Sequence, residues 1–149
     1  MSFTDDCLLM IKIEEGWRAH PYDDLTGRIV KAPVGKITIG YGFNLADRGM
    51  PLDIGSIWLL RVVGEVIEQA ESMAVYQGLS DTRKMVLVDM IYNMGFSAVM
   101  GFKLFLQALG RGDWATAAKE IENSAYFQQV PTRAGRKVEM ILTDENVYL

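Results

Sequence analysis

The chain has 149 residues, a length that fits one domain or two small lobes and leaves little room for a separate module. Half of its residues are hydrophobic and 23% are charged, which excludes a largely disordered chain and indicates a globular protein with a core of its own. The net charge of -4 argues against long-range attraction to nucleic acid, although it leaves room for a local basic cleft.

The sequence also argues against export, membrane insertion and metal chemistry. Asp5 and Asp6 stand where a secretory signal carries positive charge, so we expect no export signal. The longest apolar runs, such as residues 57–60, are far shorter than the roughly 18 residues of a membrane span. Cys7 is the only cysteine, and we interpret it as a small buried hydrophobe. His20 is the only histidine, and we predict neither a metal site nor a cofactor.

The first predicted helix begins near Ser2 or Thr4, either of which can cap its N-terminus. Within this helix Leu8, Ile11 and Glu15 follow one another at i, i+3 and i+7, so the spacing predicts that all three share one face. A glutamate is unusual on the apolar side of a helix, because charged side chains are seldom buried without a partner. Glu15 is therefore a candidate for chemistry.

Residues 22–43 change to short runs of β-type residues at 28–30 and 36–39, separated by glycines and a proline. We predict a small antiparallel sheet there. After Pro51 the hydrophobic pattern is mainly helical, and the apolar face of the second of these helices predicts the core of the larger lobe. The predicted helices span 54–76, 80–94, 102–109, 114–123 and 132–142.

These elements predict an α+β fold in one domain, with a small antiparallel sheet in a minor lobe and a larger helical lobe. Clefts between such lobes are common ligand sites, so we expect an active-site cleft there. Within the single domain of residues 1–149, the minor lobe is predicted at about 14–53 and the helical lobe at 1–13 and about 77–149, joined by a helix at about 54–76. Expected core tryptophans are Trp17, Trp58 and Trp114.

Glu15 and Asp24 form a candidate catalytic pair. Hydrolysis of a glycosidic bond uses a protonated carboxyl group that donates to the leaving oxygen and an ionised one that acts on water or on the developing cation. Glu15 shares its face with apolar residues whereas Asp24 lies in a polar turn, so desolvation would favour neutral Glu15 and exposure would favour ionised Asp24. The pair alone is weak evidence, since a chain with 19 acidic residues contains many Glu/Asp pairs.

Four stretches of the sequence, in this order and at fitting distances, together resemble the motifs of a known family. They are Glu14-Glu15-Gly16-Trp17-Arg18, Tyr22-Asp23-Asp24, Thr38-Ile39-Gly40-Tyr41-Gly42, and a C-terminal series of residues 91–95, 101–102, Trp114 and Pro131-Thr132-Arg133-Ala134. Together they resemble the phage-type lysozymes (endolysins) of glycoside hydrolase family 24. The resemblance covers most of the chain and implies a lysozyme-like fold.

The resemblance also implies roles for individual residues. Glu15 would be the general acid, Asp24 the carboxylate that orients or activates water, and Thr38 the hydroxyl that holds this water. Arg133 would pair with the catalytic glutamate across the cleft; such a partner would favour ionised Glu15 and oppose desolvation, and the sequence leaves open which effect is larger. The remaining substrate-binding residues would be Asn44, Tyr92, Asn93, Phe102 and Tyr126. Core packing explains Phe102 equally well, and strand propensity alone explains Thr38.

The activity implied is that of a muramidase: hydrolysis of the β-1,4 bond between N-acetylmuramic acid and N-acetylglucosamine in peptidoglycan, with inversion. Two alternatives stay open. A lytic transglycosylase needs only one acid, which Asp24 argues against, and a non-catalytic peptidoglycan-binding domain of the same fold needs no carboxylate pair.

The sequence does not indicate an oligomeric state, so a monomer is the default expectation. The resemblance further implies a protein made in host cytoplasm without a signal peptide. It would reach the cell wall in the periplasm with the help of a holin, and would lyse the host cell. The glycan strand of peptidoglycan would be its partner, with no nucleic acid and no membrane insertion. The chain departs from the family's archetype in a longer hairpin, with extra residues at about 29–36, and in its acidic net charge. We expect this extension at the edge of the cleft.

Overall fold

The computed structural model describes residues 2–23, 26–30 and 36–149. Two predictions, the role of Asp24 and most of the longer hairpin, fall on residues outside these ranges. The chain forms two compact units: one comprises the residues up to Glu14 together with Val62–Leu149, and the other comprises Glu15–Arg61. Many helices and one small antiparallel sheet confirm the predicted α+β class.

The helices follow the predicted order, with shifts at their ends. The described helices are α1 (Phe3–Glu15), α2 (Leu45–Arg48), α3 (Leu52–Glu71), α4 (Asp81–Met94), α5 (Phe96–Gly101), α6 (Lys103–Arg111), α7 (Trp114–Glu122), α8 (Ala125–Gln129) and α9 (Pro131–Thr143). The long predicted helix ends at Glu71, and a 3-10 turn covers Tyr76–Gly78. The sequence did not predict α2, α5 and α8, because helices this short show too few turns for a hydrophobic period. Among the described helices, none has the length and apolar character needed to cross a membrane.

Helix α1 begins after Ser2, one of the two predicted caps. The Ser2 hydroxyl accepts a hydrogen bond from the Asp5 backbone N–H at 3.2 Å, and the Asp5 carboxylate accepts one from the Ser2 backbone N–H at 2.9 Å. This reciprocal pair satisfies amide groups that would otherwise lack a partner at the start of a helix. The helix stops before Gly16, whose φ of +67° lies in the left-handed region that glycine adopts without strain.

The core of the larger unit forms around α4. Every residue from Met85 to Ile91 is buried, which confirms the prediction that this helix forms the core of the larger lobe. Helices α1, α6, α7 and α9 contribute further fully buried side chains, namely Met10, Ile11, Phe105, Ile121, Met140 and Ile141. Each such side chain stabilises the fold by about 1.5–3 kcal/mol relative to an exposed position. Cys7 is also buried, as predicted, and burial raises its pKa to about 12.

The smaller unit contains a small antiparallel sheet, as predicted, but only one of the two predicted β-type runs, 36–39, contributes a strand to it. Strands β1 (Thr38–Ile39) and β2 (Phe43–Asn44) are antiparallel, with Thr38 opposite Asn44 and Ile39 opposite Phe43. The turn between the two strands contains two glycines with positive φ, a conformation that side chains disfavour. An isolated antiparallel bridge joins Tyr22 to Ile29.

The prediction that the tryptophans lie in the core is wrong for two of them. Trp17 and Trp58 are 47% and 49% exposed. Trp17 still packs closely on α3, because a Cβ added to Gly55 would lie 2.4 Å from its ring. Trp114 is half-buried, and the guanidinium of Arg83 stacks 3.9 Å from the centre of its ring.

Candidate active site

Glu15 is the last residue of α1, and it is exposed. The prediction that it lies on the buried face of the helix is therefore wrong. The buried stripe of α1 consists of Cys7, Met10 and Ile11, and the side chain of Glu14, only 3% exposed, continues it at i+7 from Cys7. The predicted buried face was displaced by one residue, from Glu14 to Glu15. Successive side chains of a helix are about 100° apart around its axis, so the carboxylate of Glu14 points inward and that of its neighbour does not.

The Glu14 side chain is only 3% exposed and has partners from α9 and from the C-terminal segment. The Arg136 guanidinium donates from Nε to Oε1 at 3.1 Å and from its terminal nitrogen to Oε2 at 2.9 Å, a bidentate geometry. The Lys137 ammonium donates to Oε1 at 3.1 Å, and the Tyr148 hydroxyl donates to the same oxygen. Burial by itself would raise the pKa of Glu14, but these donors and the charge of Lys137 outweigh it and lower the pKa to about 2.

A second buried carboxylate lies on α4. Asp89 is fully buried, and Arg133 donates to it from Nε at 3.0 and 3.2 Å and from a terminal nitrogen at 2.8 Å. The Lys137 Nζ lies 3.3 Å from the other Asp89 oxygen, Oδ2. The Tyr126 hydroxyl donates to Oδ2 at 3.5 Å, and burial raises the pKa of this tyrosine above its usual range. Lys137 thus lies against both buried carboxylates.

Glu14, Asp89, Lys137 and their hydrogen-bond partners form one buried cluster. Two of the predicted site residues, Arg133 and Tyr126, lie in this cluster, because both donate hydrogen bonds to Asp89. The guanidinium of Arg133 is held in one plane by its bidentate bond, which fixes where its remaining N–H groups point. The pairing of Arg133 with Glu15 stays a prediction.

Thr38 and Asn44 lie opposite each other in the sheet. The Thr38 hydroxyl is exposed and donates to the backbone carbonyl of Lys36 at 3.2 Å. Asn44 caps α2: its side-chain oxygen accepts from the Asp47 backbone N–H at 3.2 Å, and its amide donates to the Asp47 carboxylate at 2.9 Å. The hydroxyl of Thr38 therefore lies at the surface, whereas the side chain of Asn44 caps the N-terminus of α2.

The other predicted substrate-binding residues lie at the ends of helices. Tyr92 is half-buried and Asn93 is exposed, both in the last turn of α4. Phe102 lies between α5 and α6, where it packs edge-on against Phe105 with ring centres 6.3 Å apart. It also borders an open cavity of about 300 Å³, lined by Gly101, Phe102, Lys103, Leu104, Phe105, Glu120, Asn123 and Ser124. Phe102 thus contacts the core and lines a surface cavity.

The family model described as phage lysozyme matches residues 12–139 of the chain. The chain belongs to the phage lysozyme family. Membership in this family implies a glycoside hydrolase of the lysozyme type, and it confirms the resemblance and the lysozyme-like fold that were read from the four sequence stretches.

Three proteins illustrate the similarity of the phage lysozyme chain to known sequences. The chain is 36% identical to "Probable T4-type lysozyme 2" of Dictyostelium discoideum over 156 residues, covering 90% of this chain and 92% of that protein. It is 35% identical over 85 residues to "Probable T4-type lysozyme 1" of the same organism, covering 56% of this chain but only 50% of that protein. It is 38% identical over 117 residues to "Pre-baseplate central spike protein Gp5" of Enterobacteria phage T4, covering 78% of this chain and 19% of that much longer protein.

Sequence reasoning about this phage lysozyme missed the buried residues Glu14, Asp89 and Lys137. The sequence did contain a signal for Asp89, because this residue interrupts an otherwise apolar run in α4. A charged residue in such a run needs a buried partner. The partners could not be identified in the same way. Arg133 lies 44 residues from Asp89, and Lys137 lies 123 residues from Glu14, so only the folded chain brings them together.

Proposed function

We propose that this lysozyme is a muramidase that hydrolyses the β-1,4 bond between N-acetylmuramic acid and N-acetylglucosamine in peptidoglycan, with inversion. In this proposal Glu15 donates a proton to the leaving oxygen, Asp24 activates the attacking water, and the Thr38 hydroxyl holds that water. Arg133, Asn44, Tyr92, Asn93, Phe102 and Tyr126 position the glycan. The family match and the names of the two Dictyostelium relatives support the lysozyme activity.

The position of Glu15 is the observation that carries the proposal. A general acid must come within about 2.6–3.2 Å of the glycosidic oxygen, and a polymeric substrate reaches only an exposed group. Glu15 is exposed, and it is the last residue of a 13-residue helix. Its neighbour in that helix, Glu14, accepts hydrogen bonds from three side chains. An accessible carboxyl group on a rigid backbone is what proton donation to a bound strand requires.

The test compares Glu15→Gln with Glu68→Gln, a matched change of an exposed glutamate in α3. An amide cannot donate the proton, and general acid catalysis contributes on the order of 10²–10⁴ in rate. We expect Glu15→Gln to lose at least about 100-fold of its turnover on purified peptidoglycan while Glu68→Gln keeps wild-type turnover. Retention of more than about a tenth of the activity by a folded Glu15→Gln protein would contradict the assignment.

Analysis of the products separates the alternative activities. Mass spectrometry of the released fragments distinguishes hydrolysis from the anhydro ring that a lytic transglycosylase leaves. Binding to peptidoglycan without any released fragment would instead indicate a non-catalytic domain. We expect reducing muramic acid ends, since the proposal includes a second carboxylate that activates water.

We further propose that the enzyme is a monomer that accumulates in host cytoplasm and lyses the host once a holin opens the membrane. Induced expression in a bacterial host, with and without a membrane-permeabilising agent, tests this route. We expect lysis only after permeabilisation. Lysis without it would mean that the protein reaches the wall unaided, and sedimentation of the purified protein would give its oligomeric state.

A further inference from the structure

Lys137 is a fully buried lysine that the proposed chemistry does not use. Its Nζ donates to Oε1 of Glu14 at 3.1 Å, lies 3.3 Å from Oδ2 of Asp89, and donates to the hydroxyl of Tyr148. A buried ammonium is unfavourable unless its neighbours replace the water it loses, and here two carboxylates and a hydroxyl do so. Three segments of the chain, α1, α4 and the C-terminal residues, thus meet at one nitrogen atom on α9.

The family resemblance implies a pair of Glu15 and Arg133. Each of the two carboxylates that contact Lys137 is connected to one residue of this pair. Glu14 directly precedes Glu15 in the last turn of α1, so fixing the Glu14 side chain fixes the backbone from which Glu15 extends. Asp89 accepts the bidentate hydrogen bonds of Arg133, the residue that the resemblance pairs with the catalytic glutamate. Lys137 is the side chain that contacts both of these carboxylates in the described part of the chain.

The charges around Lys137 show what its removal would do. Two anions, Glu14 and Asp89, face three cations, Arg133, Arg136 and Lys137, while Tyr148 and Tyr126 bond to the anions through their hydroxyls. Each carboxylate keeps an arginine if Lys137 is lost. Among the residues that the structure describes, no other cation contacts both carboxylates, so their separation and the tilt of α1 against α4 and α9 would no longer be fixed by a common partner.

We propose that Lys137 is a positioning residue of this lysozyme, which sets the end of α1 and the plane of Arg133 relative to each other through Glu14 and Asp89. The inference rests on the proposed role of Glu15 as the general acid. Lys137 itself does not touch the substrate. Because a general acid acts only over a hydrogen-bond distance, a small shift of α1 lowers turnover more than it lowers glycan binding.

The test measures kcat and KM for Lys137→Met, which keeps an unbranched side chain only one atom shorter and removes its charge. Arg83→Met is the matched control, because Arg83 is also a buried cation of this unit and bonds to Asp144 and to the Ile141 carbonyl, away from the cluster. We expect both variants to melt at a lower temperature. We expect only Lys137→Met to lose about tenfold in kcat with KM within twofold, since an interaction that positions the acid affects the transition state more than binding.

A folded Lys137→Met protein with kcat within twofold of wild type would overturn the inference, because Lys137 would then serve stability alone. If that variant does not fold, Lys137→Gln replaces it, since this change also removes the ammonium that contacts Glu14 and Asp89 but leaves an amide that can donate a hydrogen bond in the buried site. A kcat lowered about threefold at unchanged KM supports the inference, and an unchanged kcat refutes it.

Glu15→Gln is measured in the same series. If it retains turnover, the proposed function fails and this inference fails with it. If it loses turnover while Lys137→Met does not, only the inference about Lys137 fails.

Discussion

The buried carboxylate of Glu14 gives a quantitative prediction about stability and pH. Its pKa is lowered from 4.5 to about 2 in the folded state, although burial alone would raise it. At about 1.36 kcal/mol per pKa unit, this difference stabilises the folded protein by about 3 kcal/mol at neutral pH. The side chain of Glu14 is only 3% exposed and that of Lys137 is fully buried, so solvent screens this ion pair little, whereas Arg136 is 34% exposed and its ion pair with Glu14 is screened more.

The sign of the effect follows from the direction of the shift. A carboxylate whose pKa is depressed by folding stabilises the protein above its unfolded pKa of 4.5, and this contribution is lost as the pH falls through about 2. Between pH 5 and pH 3 the wild-type protein should lose about 2 kcal/mol through Glu14 alone. Glu14→Gln cannot titrate there, so its stability should fall less steeply with decreasing pH.

Urea unfolding followed by tryptophan fluorescence measures this difference at several pH values between 3 and 7. Glu14→Gln should be about 3–5 kcal/mol less stable than wild type at pH 7, because it removes the counter-ion of Arg136 and one of the two carboxylates that face the buried Lys137, and the gap should narrow by about 2 kcal/mol at pH 3. Glu68→Gln is the surface control and should follow the wild-type curve. A gap between Glu14→Gln and wild type that stays constant with pH would refute the reasoning.

Three further predictions concern the second carboxylate, the longer hairpin and the packing of α3. Asp24→Asn should lose most of its activity, and the wild-type enzyme should release the α-anomer first; a β-anomer seen by proton NMR on a cleaved oligosaccharide would exclude inversion. Replacing the extra hairpin residues at about 29–36 with a short Asn-Gly turn should keep turnover on a stem-free glycan within about tenfold, equivalent to about 1.4 kcal/mol of barrier, and a larger loss in a folded variant would mean that the hairpin positions Thr38. Gly55→Ala should lower stability by about 1–3 kcal/mol, because the new Cβ would lie 2.4 Å from the Trp17 ring. Gly64→Ala in the same helix meets no atom within 4 Å and should instead raise the melting temperature slightly; equal effects of the two changes would contradict this packing.

The sequence by itself determined the local features of this protein. The apolar spacing within residues 80–94 predicted a core helix because periodicity is a property of neighbouring residues. The β-type run at 36–39 and the glycines that follow it predicted a short strand and its end for the same reason. The family could be recognised because its motifs are short, local and ordered along the chain, and the match over residues 12–139 confirms that resemblance.

The tertiary structure decided which side chains of these elements are buried and what they contact. Glu14 and Glu15 are adjacent and chemically alike, and only the packing of α1 against α9 and the C-terminal segment selects the first for burial. Tyr148 meets Glu14 across 134 residues of sequence. Such pairings depend on the summed geometry of many helices, so no local pattern specifies them. The partners of Lys137 could therefore be found only in the folded chain.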